Sequence, residues 1–235
     1  MSKIVELCAE DKNAIETFAN TFAGSDRPIV VAGGIGIYPR GQVFTEAMSI
    51  GPVMPTFPRA SEQTAIAAAE RGVRATVVRL PRSVHGLGER HGFIPQLASL
   101  AREKGVAAYV GDGENLWPSV HRLDAARVFR LALEHGALGR SFHAVAEQGV
   151  AYRKIAEAIG SHFQLPVVSL SQEDAAAHFG PMAMFIGGNG PASSEQTRQV
   201  LGWTPQELGV LADISQAEYF AQEVVGADIF GGRQK

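Results

Sequence analysis

The sequence predicts an α/β fold built on a parallel sheet. The wholly apolar run 29–32 and the mostly apolar run 73–80 are typical of strands that are covered on both faces. Segments with apolar residues at helical spacing alternate with these runs, and most of the connections between the two kinds of segment are short. Strand–helix alternation of this kind indicates an α/β architecture. The chain of 235 residues, 46% of them hydrophobic, is long enough to bury a substantial core.

Each predicted element follows from its pattern and its boundaries. Glycines end the first two helices, because Gly24 directly follows the predicted helix 8–23 and Gly72 directly follows the predicted helix 60–71. Residues 37–58 contain four prolines and are predicted as a loop, as are residues 180–191, and residues 221–235 are predicted to form a loose tail. The predicted elements are, in order, helix 8–23, strand 29–32, helix 60–71, strand 73–80, helix 93–104, strand 107–110, helix 124–135, strand 141–146, helix 152–163, strand 167–170, helix 172–178 and helix 194–201.

Composition excludes several classes of function. A net charge of −3 gives no general attraction to nucleic acid or to anionic membranes. The single cysteine, Cys8, excludes an intramolecular disulfide and a cysteine-based zinc cluster, and it fits a reducing compartment. No apolar run reaches the roughly 20 residues of a membrane span, and no signal-peptide pattern begins the chain. We therefore expect a cytoplasmic protein with no membrane or nucleic-acid partner.

The segment 29–41, with the sequence IVVAGGIGIYPRG, is similar to the strand and glycine turn that open a dinucleotide-binding unit. Such a turn holds a pyrophosphate only where a helix follows it, because the helix N-terminal N–H groups face the phosphates. Here Pro39 occupies the position of the third glycine, and a proline-rich loop follows instead of a helix. We expect a loop at the carboxyl end of a strand, with no cofactor bound there.

Several ordered motifs between residues 77 and 205 resemble those of one family. They are the run 79–81 followed by 83–86, then 92–95, 111–113, 120–126 and 194–205. Together they resemble the C-terminal two-thirds of an extended or atypical short-chain dehydrogenase/reductase of the NAD-dependent epimerase/dehydratase type. The resemblance covers about residues 3 to 213.

The resemblance implies a truncated Rossmann-like parallel sheet with a small C-terminal substrate-binding α/β region. Residues 1–90, with contributions from 116–150, would form the first part, and residues 91–115 and 150–220 the second. In the family the cofactor is NAD(P), but its glycine turn and ribose-binding acid would precede Met1, so we expect no bound cofactor. The resemblance also implies a homodimer through helices 8–23 and 60–71.

The family's catalytic pattern is incomplete in this sequence. It uses a serine or threonine at the end of the fifth strand, where this chain has Ala32 or Gly33. It also uses a Tyr-x-x-x-Lys pair for proton transfer, and the corresponding positions hold Phe57 and Ser61 or, in the neighbouring register, Pro58 and Glu62. We therefore expect no conventional hydride transfer.

Candidate catalytic residues are Ser83, His85 and His121. Ser83 and His85 are two apart in an extended segment and therefore face the same side, and histidines titrate near neutral pH. A serine–histidine pair with an orienting acid is the minimum for acyl transfer, and His91 and Asp124 are expected nearby. Asp124 is also predicted to be the N-cap of its helix.

Candidate substrate-binding residues are Tyr38, Arg40, Arg82 and Trp117. The two arginines flank the predicted cleft and could bind a carboxylate or phosphate of a small-molecule substrate. Trp117 is placed in a loop at the cleft mouth as a substrate wall. No metal-binding spacing and no GxSxG motif is present.

Three functions stay open: a protein related to NAD(P)-dependent epimerases and reductases, a cofactor-independent hydrolase of the esterase kind, and a non-catalytic remnant.

Overall fold

Helices and strands alternate through the part of the chain that our computed structural model describes, residues 3–53, 58–136 and 138–221. The strands are β1 (Ile29–Gly34), β2 (Ala75–Leu80), β3 (Ser83–His85), β4 (Ala107–Val110), β5 (Leu116–His121), β6 (Ser141–His143), β7 (Glu147–Ala151) and β8 (Val167–Leu170). The helices are α1 (Lys3–Phe22), α2 (Ser61–Glu70), α3 (Phe93–Lys104), α4 (Arg122–His135), α5 (Tyr152–Phe163), α6 (Gln172–Phe179), α7 (Ala183–Ile186), α8 (Glu195–Leu201) and α9 (Val210–Ile214), with a 3₁₀ turn at Gly180–Met182.

The first sheet has the order β1–β2–β6, and all its strands run parallel. Successive side chains of β2 point to opposite faces, so Val77 packs on α1 and α2 while Val78 packs on α4. Both faces are therefore covered, which explains why the strand is almost wholly apolar. The predicted Rossmann-like α/β architecture is confirmed.

A second region packs around a parallel β4–β8 pair. Its core is formed by α3 and α5 together with residues from α6, α7 and α9. A third, small sheet is formed by β3, β5 and β7, which alternate along the chain with strands of the other two sheets. In it, β5 pairs in parallel with β3 and antiparallel with β7. The boundaries drawn at residues 90, 115 and 150 stay a prediction.

The predicted bounds agree best where the apolar pattern is uninterrupted. The helices at 93–104 and 152–163 and the strands at 107–110 and 167–170 have the predicted bounds. The predicted strand 141–146 is shorter, since it ends at His143. The sequence prediction missed β3, β5, β7, α7 and α9. In β5 the reason is Pro118, which argues against a strand and is accommodated at an irregularity in the pairing with β7. The prediction that residues 180–191 form a loop is wrong at Ala183–Ile186, which form α7.

None of the helices in the described ranges is long and apolar enough to cross a membrane. The cytoplasmic location stays a prediction. Residues 222–235, which make up nearly all of the predicted tail, lie outside the described residues.

Candidate functional site

The glycine segment that follows the first strand does not begin a helix. Gly33 and Gly34 are the last residues of β1, and the described residues 35–53 contain no helix. The next helix, α2, begins only at Ser61. The predicted loop at the carboxyl end of a strand is therefore present, and the geometry differs from a turn that presents helix N–H groups to a pyrophosphate.

Gly33 stands near the position that holds a hydroxyl in the resembled family, and the structure leaves no room for a side chain there. A Cβ atom built on Gly33 would lie 2.9 Å from Cγ1 of Val77 and 3.1 Å from Oε2 of Glu62. A serine or threonine would require the side chains of Val77 and Glu62 to shift. The glycine is thus required by close packing of β1 on its neighbours.

The residues at the positions of the family's Tyr-x-x-x-Lys pair have structural contacts. Ser61 donates a hydrogen bond to Oδ2 of Asp11 over 2.6 Å and accepts one from Nε of Arg59 over 2.9 Å. Glu62 is buried and forms an ion pair with Arg79. Phe57, the other candidate position, lies outside the described residues. Neither Ser61 nor Glu62 is free to transfer a proton.

Arg79, in β2, is a buried arginine, and each of its three side-chain nitrogens has a hydrogen-bond partner. Nε and Nη2 bind the Glu62 carboxylate, with Nη2 2.6 Å from Oε1. Nη1 donates to Nε2 of His143 over 3.0 Å, and Nδ1 of His143 donates to the Ser193 carbonyl over 2.7 Å. Burial lowers the pKa of His143 to about 3, and the cationic Arg79 acts in the same direction. His143 is therefore the neutral acceptor that this network needs.

Arg82 lies three residues further on, just before β3, and is also buried, with 9% of its surface exposed. Nη1 donates to the carbonyls of Phe185 and Gly188, each over 2.9 Å. Nε and Nη2 have no hydrogen-bond partner among the described residues. Burial without a neighbouring anion lowers the pKa of Arg82 to about 10, so the guanidinium is charged at neutral pH.

A loop of residues 187–190, Gly-Gly-Asn-Gly, covers Arg82; we call it the covering loop. Nδ2 of Asn115 donates to the carbonyls of Ile186 and Gly188, and Oδ1 of Asn189 accepts from the backbone N–H of Leu116 over 2.8 Å. The loop is thereby fastened to the start of β5.

Tyr38 contacts the covering loop through its backbone. Its backbone N–H donates to the Asn189 carbonyl over 2.7 Å, which joins the segment after β1 to the covering loop. Its ring stacks on Phe44 with centroids 4.3 Å apart. Burial raises the pKa of its phenol to about 12, so the phenol is protonated at neutral pH. The structure therefore places Tyr38 and Arg82, two of the predicted substrate-binding residues, around one loop.

The predicted loop position of Trp117 is wrong. Trp117 lies in β5, is fully buried, and packs against Phe93 and Tyr152. The Arg82 guanidinium lies over its ring at 5.2 Å from the centroid. The indole is therefore a wall on which Arg82 rests, and its Nε1 has no partner among the described residues. Any contact of Trp117 with a substrate stays a prediction.

Arg40 is exposed, and its guanidinium is already engaged. Nη1 and Nη2 bind the two carboxylate oxygens of Asp112 over 2.8 and 2.7 Å. This pair holds the pKa of Asp112 well below its usual range. A substrate role for Arg40, which stays a prediction, would compete with that contact.

Ser83 and His85 both lie in β3 and face the same side, as predicted from their spacing, but they do not bond to each other. Oγ of Ser83 and Nε2 of His85 each lack a hydrogen-bond partner among the described residues. Both side chains are buried, with 1% and 0% of their surface exposed. The acid that orients His85 is Asp213 in α9, with Oδ2 2.6 Å from Nδ1 of His85. Burial lowers the pKa of His85, and the Asp213 contact acts against that shift.

The N-cap of α4 is His121, and Asp124 lies in the first turn of the helix. The prediction that Asp124 is the N-cap is wrong, because His121 is the N-cap and its Nδ1 accepts from the backbone N–H of Leu123 over 3.2 Å. The Asp124 carboxylate instead accepts from the backbone N–H groups of Gln206 and Glu207. Nε2 of His121 lies 3.9 Å from Oδ2 of Asp213, so one carboxylate faces both His85 and His121.

Sequence reasoning missed Asp213, which lies 128 residues from His85 in the chain. Its helix, α9, has only five residues, which is too short for a helical spacing of apolar residues to be recognised in the sequence. His91, in contrast, is exposed. Within the described ranges, no group of three His, Cys, Asp or Glu residues could hold a metal ion.

The comparisons with known proteins agree with this fold. The model of the NAD dependent epimerase/dehydratase family matches residues 17–145. Uncharacterized protein C2A9.02 of Schizosaccharomyces pombe is 40% identical over 216 residues, covering 92% of this chain and 72% of that protein. Uncharacterized protein YLL056C of Saccharomyces cerevisiae is 40% identical over 213 residues, covering 90% and 71%.

Solved structures of sugar-nucleotide enzymes have the same fold. A dTDP-glucose 4,6-dehydratase of Streptomyces venezuelae, solved with NAD bound, superposes with a TM-score of 0.68 at 17% identity, covering 89% of this chain and 63% of that one. A nucleoside-diphosphate-sugar epimerase of Pseudomonas aeruginosa gives 0.69 at 16% identity, covering 92% and 73%. The fold and the relatives define an α/β protein of the Rossmann-like class. The chain belongs to the NAD-dependent epimerase/dehydratase family.

The chain thus spans less than two thirds of the length of that dehydratase and about seven tenths of its curated relatives. The helices predicted to form a dimer correspond to α1 and α2, which pack on each other and on the first sheet. Self-association stays a prediction.

Proposed function

We propose that this chain is a substrate-binding part of an epimerase/dehydratase-type protein and that it does not carry out the family's hydride transfer by a tyrosine–lysine pair. In this proposal a small molecule binds where β1, β2 and β3 end, beside Arg82. Ligands of open α/β sheets bind at the carboxyl ends of the strands, which supports this placement.

One observation carries the chemical part of the proposal, the packing around Gly33. The place of the family's hydroxyl is filled by the Val77 side chain and the Glu62–Arg79 ion pair. A proton relay needs a hydroxyl within hydrogen-bond reach of the reacting group. A substitution that restores a hydroxyl at Gly33 would have to shift the Val77 side chain and the Glu62 carboxylate.

The proposal also concerns the cofactor. The resembled family uses NAD(P), and the dehydratase of known structure was solved with NAD bound, but the glycine segment of this chain does not lead into a helix N-terminus. Residues 33–36 therefore do not fit a dinucleotide pyrophosphate. We derive no reaction step through NAD for this chain.

The test is a titration of the chain with NADH and with NADPH, followed by nicotinamide fluorescence. We expect no saturable change at micromolar concentrations, whereas a family dehydratase with a complete dinucleotide turn, run in parallel, gives one. Saturable binding of either nucleotide to this chain at micromolar concentrations would overturn the proposal.

A second candidate function, cofactor-independent ester hydrolysis, is favoured by the His85–Asp213 contact. In a serine hydrolase the acid orients the imidazole, which then takes the proton of the serine. Asp213 and His85 supply the first of these contacts at 2.6 Å. The second contact is not made, because Ser83 and His85 do not bond to each other. Hydrolysis therefore ranks behind substrate binding.

Short-chain p-nitrophenyl esters test this second candidate. If Ser83 and His85 act together, Ser83→Ala, His85→Gln and Asp213→Asn each lower the rate of ester cleavage by a similar factor. Turnover that is unchanged in Ser83→Ala and His85→Gln would exclude the pair, whatever the outcome of the nucleotide titration.

A further inference from the structure

Arg82 is a buried cation without a counter-ion. No carboxylate of the described residues lies within ion-pair distance of its guanidinium, and burial alone accounts for its lowered pKa. Removing a charge from water without pairing it is costly. The two carbonyls that Nη1 contacts compensate part of this cost but carry no charge.

The unused atoms of Arg82 form a defined edge. Nε and one N–H of Nη2 point in nearly the same direction and can hold both oxygens of a planar or tetrahedral oxyanion. Arg79 uses this same edge, Nε and Nη2, to bind Glu62. In Arg82 both nitrogens of the edge have no partner among the described residues.

Neighbouring side chains supply further unpaired donors. Oγ of Ser83, the next residue, and Nε1 of Trp117, whose ring lies under the guanidinium, are buried and without partners among the described residues. An indole N–H can only donate, and a hydroxyl can donate. A group of donors with one positive charge is suited to an acceptor that carries negative charge.

The covering loop approaches this edge through glycines. A Cβ atom on Gly190 would lie 2.3 Å from Nη2 of Arg82 and 2.6 Å from the Gly36 carbonyl oxygen, and one on Gly188 would lie 3.0 Å from Nη1. Only a residue without a side chain lets the backbone come so close. Because the edge is buried, a ligand reaches it only when the covering loop separates from the segment of Gly36 and Tyr38.

We propose that the Nε–Nη2 edge of Arg82 is a binding site for the carboxylate or phosphate group of a small molecule. Arg82 gives two parallel charge-assisted hydrogen bonds, Trp117 forms the floor, and the covering loop closes over the bound group. The inference rests on the proposed function in that it names the substrate class of the same cleft.

The experiment uses the whole chain and two probes, inorganic phosphate and acetate, each exchanged against chloride at constant ionic strength. Binding is followed by calorimetric titration and by the unfolding temperature. The variants are Arg82→Lys, which keeps the charge but loses the two-donor edge, and Arg82→Met. The matched control is Arg130→Met, which removes an exposed arginine on α4.

We expect saturable binding of at least one probe to the unaltered chain and to Arg130→Met. Loss of two charge-assisted hydrogen bonds predicts binding at least about tenfold weaker in Arg82→Lys and Arg82→Met. A response to phosphate alone assigns a phosphate ligand, and a response to acetate a carboxylate ligand.

Two results overturn the proposal: no saturable response of the unaltered chain to either probe, or an undiminished response in Arg82→Lys. If Arg82→Met does not fold, Arg82→Lys decides. Because NADH itself carries phosphate groups, the nucleotide titration is repeated with Arg82→Lys. NADH binding that this variant retains would overturn the proposed function while leaving the result for Arg82 unaffected.

Discussion

Arg79 and Arg82 are two buried arginines three residues apart, and they differ in what each guanidinium binds. Arg79 is 3% exposed, lies over the Phe44 ring, and has the Glu62 carboxylate on its Nε–Nη2 edge. Arg82 lies over the Trp117 ring and has no partner among the described residues on the same edge. The aromatic support is alike, and the counter-ion is what differs.

This difference distinguishes a residue that stabilises the fold, Arg79, from one whose Nε–Nη2 edge can bind a ligand, Arg82. In a buried ion pair with satisfied hydrogen bonds, the partner compensates the desolvation free energy of the charge. A buried charge without a partner lacks this compensation, and a bound anion can supply it. Arg79 is the next-to-last residue of β2, and Arg82 lies two residues beyond the end of that strand, on the side where ligands of such sheets bind. Buried charge therefore indicates a site here only where the pairing is incomplete.

The largest loss of stability is expected when Arg79, like Arg82, is left without a carboxylate partner. Glu62→Gln leaves the Arg79 charge buried without a carboxylate, and breaking a buried pair in this way costs about 3–5 kcal/mol in the free energy of unfolding. Urea unfolding of the variant and the unaltered chain measures the change. A loss below about 1 kcal/mol would show that water reaches Arg79.

A smaller effect is expected when the edge of Arg82 is filled. In Gly190→Ala the new methyl group meets Nη2 and the Gly36 carbonyl, and such overpacking costs about 1–3 kcal/mol in the free energy of unfolding. The same variant loses the response to phosphate or acetate. Gly187→Ala is the matched control, because a Cβ there meets no atom closer than 3.6 Å. Equal behaviour of the two alanine variants would contradict this role of the covering loop.

Glu89, a half-buried acid, tests whether an unpaired negative charge also lowers the stability of the fold. Glu89 accepts a hydrogen bond from the Tyr219 hydroxyl over 2.5 Å, and burial raises its pKa from 4.5 to about 7. Between these values the folded state binds more protons than the unfolded state, so stability falls as pH rises from about 4.5 and levels off above about 7.

For the unaltered chain we expect a loss of roughly 1–2 kcal/mol in the free energy of unfolding across that interval, relative to Glu89→Gln. Urea unfolding at a series of pH values measures both chains. Parallel stability profiles for the two chains would contradict the assignment of a raised pKa to Glu89.

The smallest effect is expected at an exposed ion pair. Glu134→Gln removes the partner of Arg130, which lies 3.4 Å away one helical turn earlier on α4. Exposed pairs of this spacing contribute about 0.3–0.5 kcal/mol. Urea unfolding should therefore separate Glu62→Gln from Glu134→Gln by at least about fivefold in free energy, and similar losses would contradict the distinction between the two settings.

The sequence predicted most of the fold but only part of the site. The strands of the two parallel pairings are mostly apolar runs, so their positions could be read directly from the pattern. Arg82 could be placed near the cleft because it follows such a strand. That its edge lacks a partner could not be predicted, because this depends on which distant carboxylates approach it in three dimensions. Asp213 was missed for the same reason. The strand that contains Trp117 was missed because Pro118 argues against a strand.

The difference between the two arginines can be measured directly by nuclear magnetic resonance of the guanidinium Nε–H groups. Phosphate or acetate is added to the whole chain at constant ionic strength, and the Arg82 signal is assigned by its loss in Arg82→Lys. The account predicts that the Arg82 Nε–H resonance moves with a saturable dependence on the anion, while the Arg79 resonance stays in place because Glu62 occupies its edge. An Arg82 resonance that does not move with either anion, or one that moves no more than that of Arg79, would contradict the account.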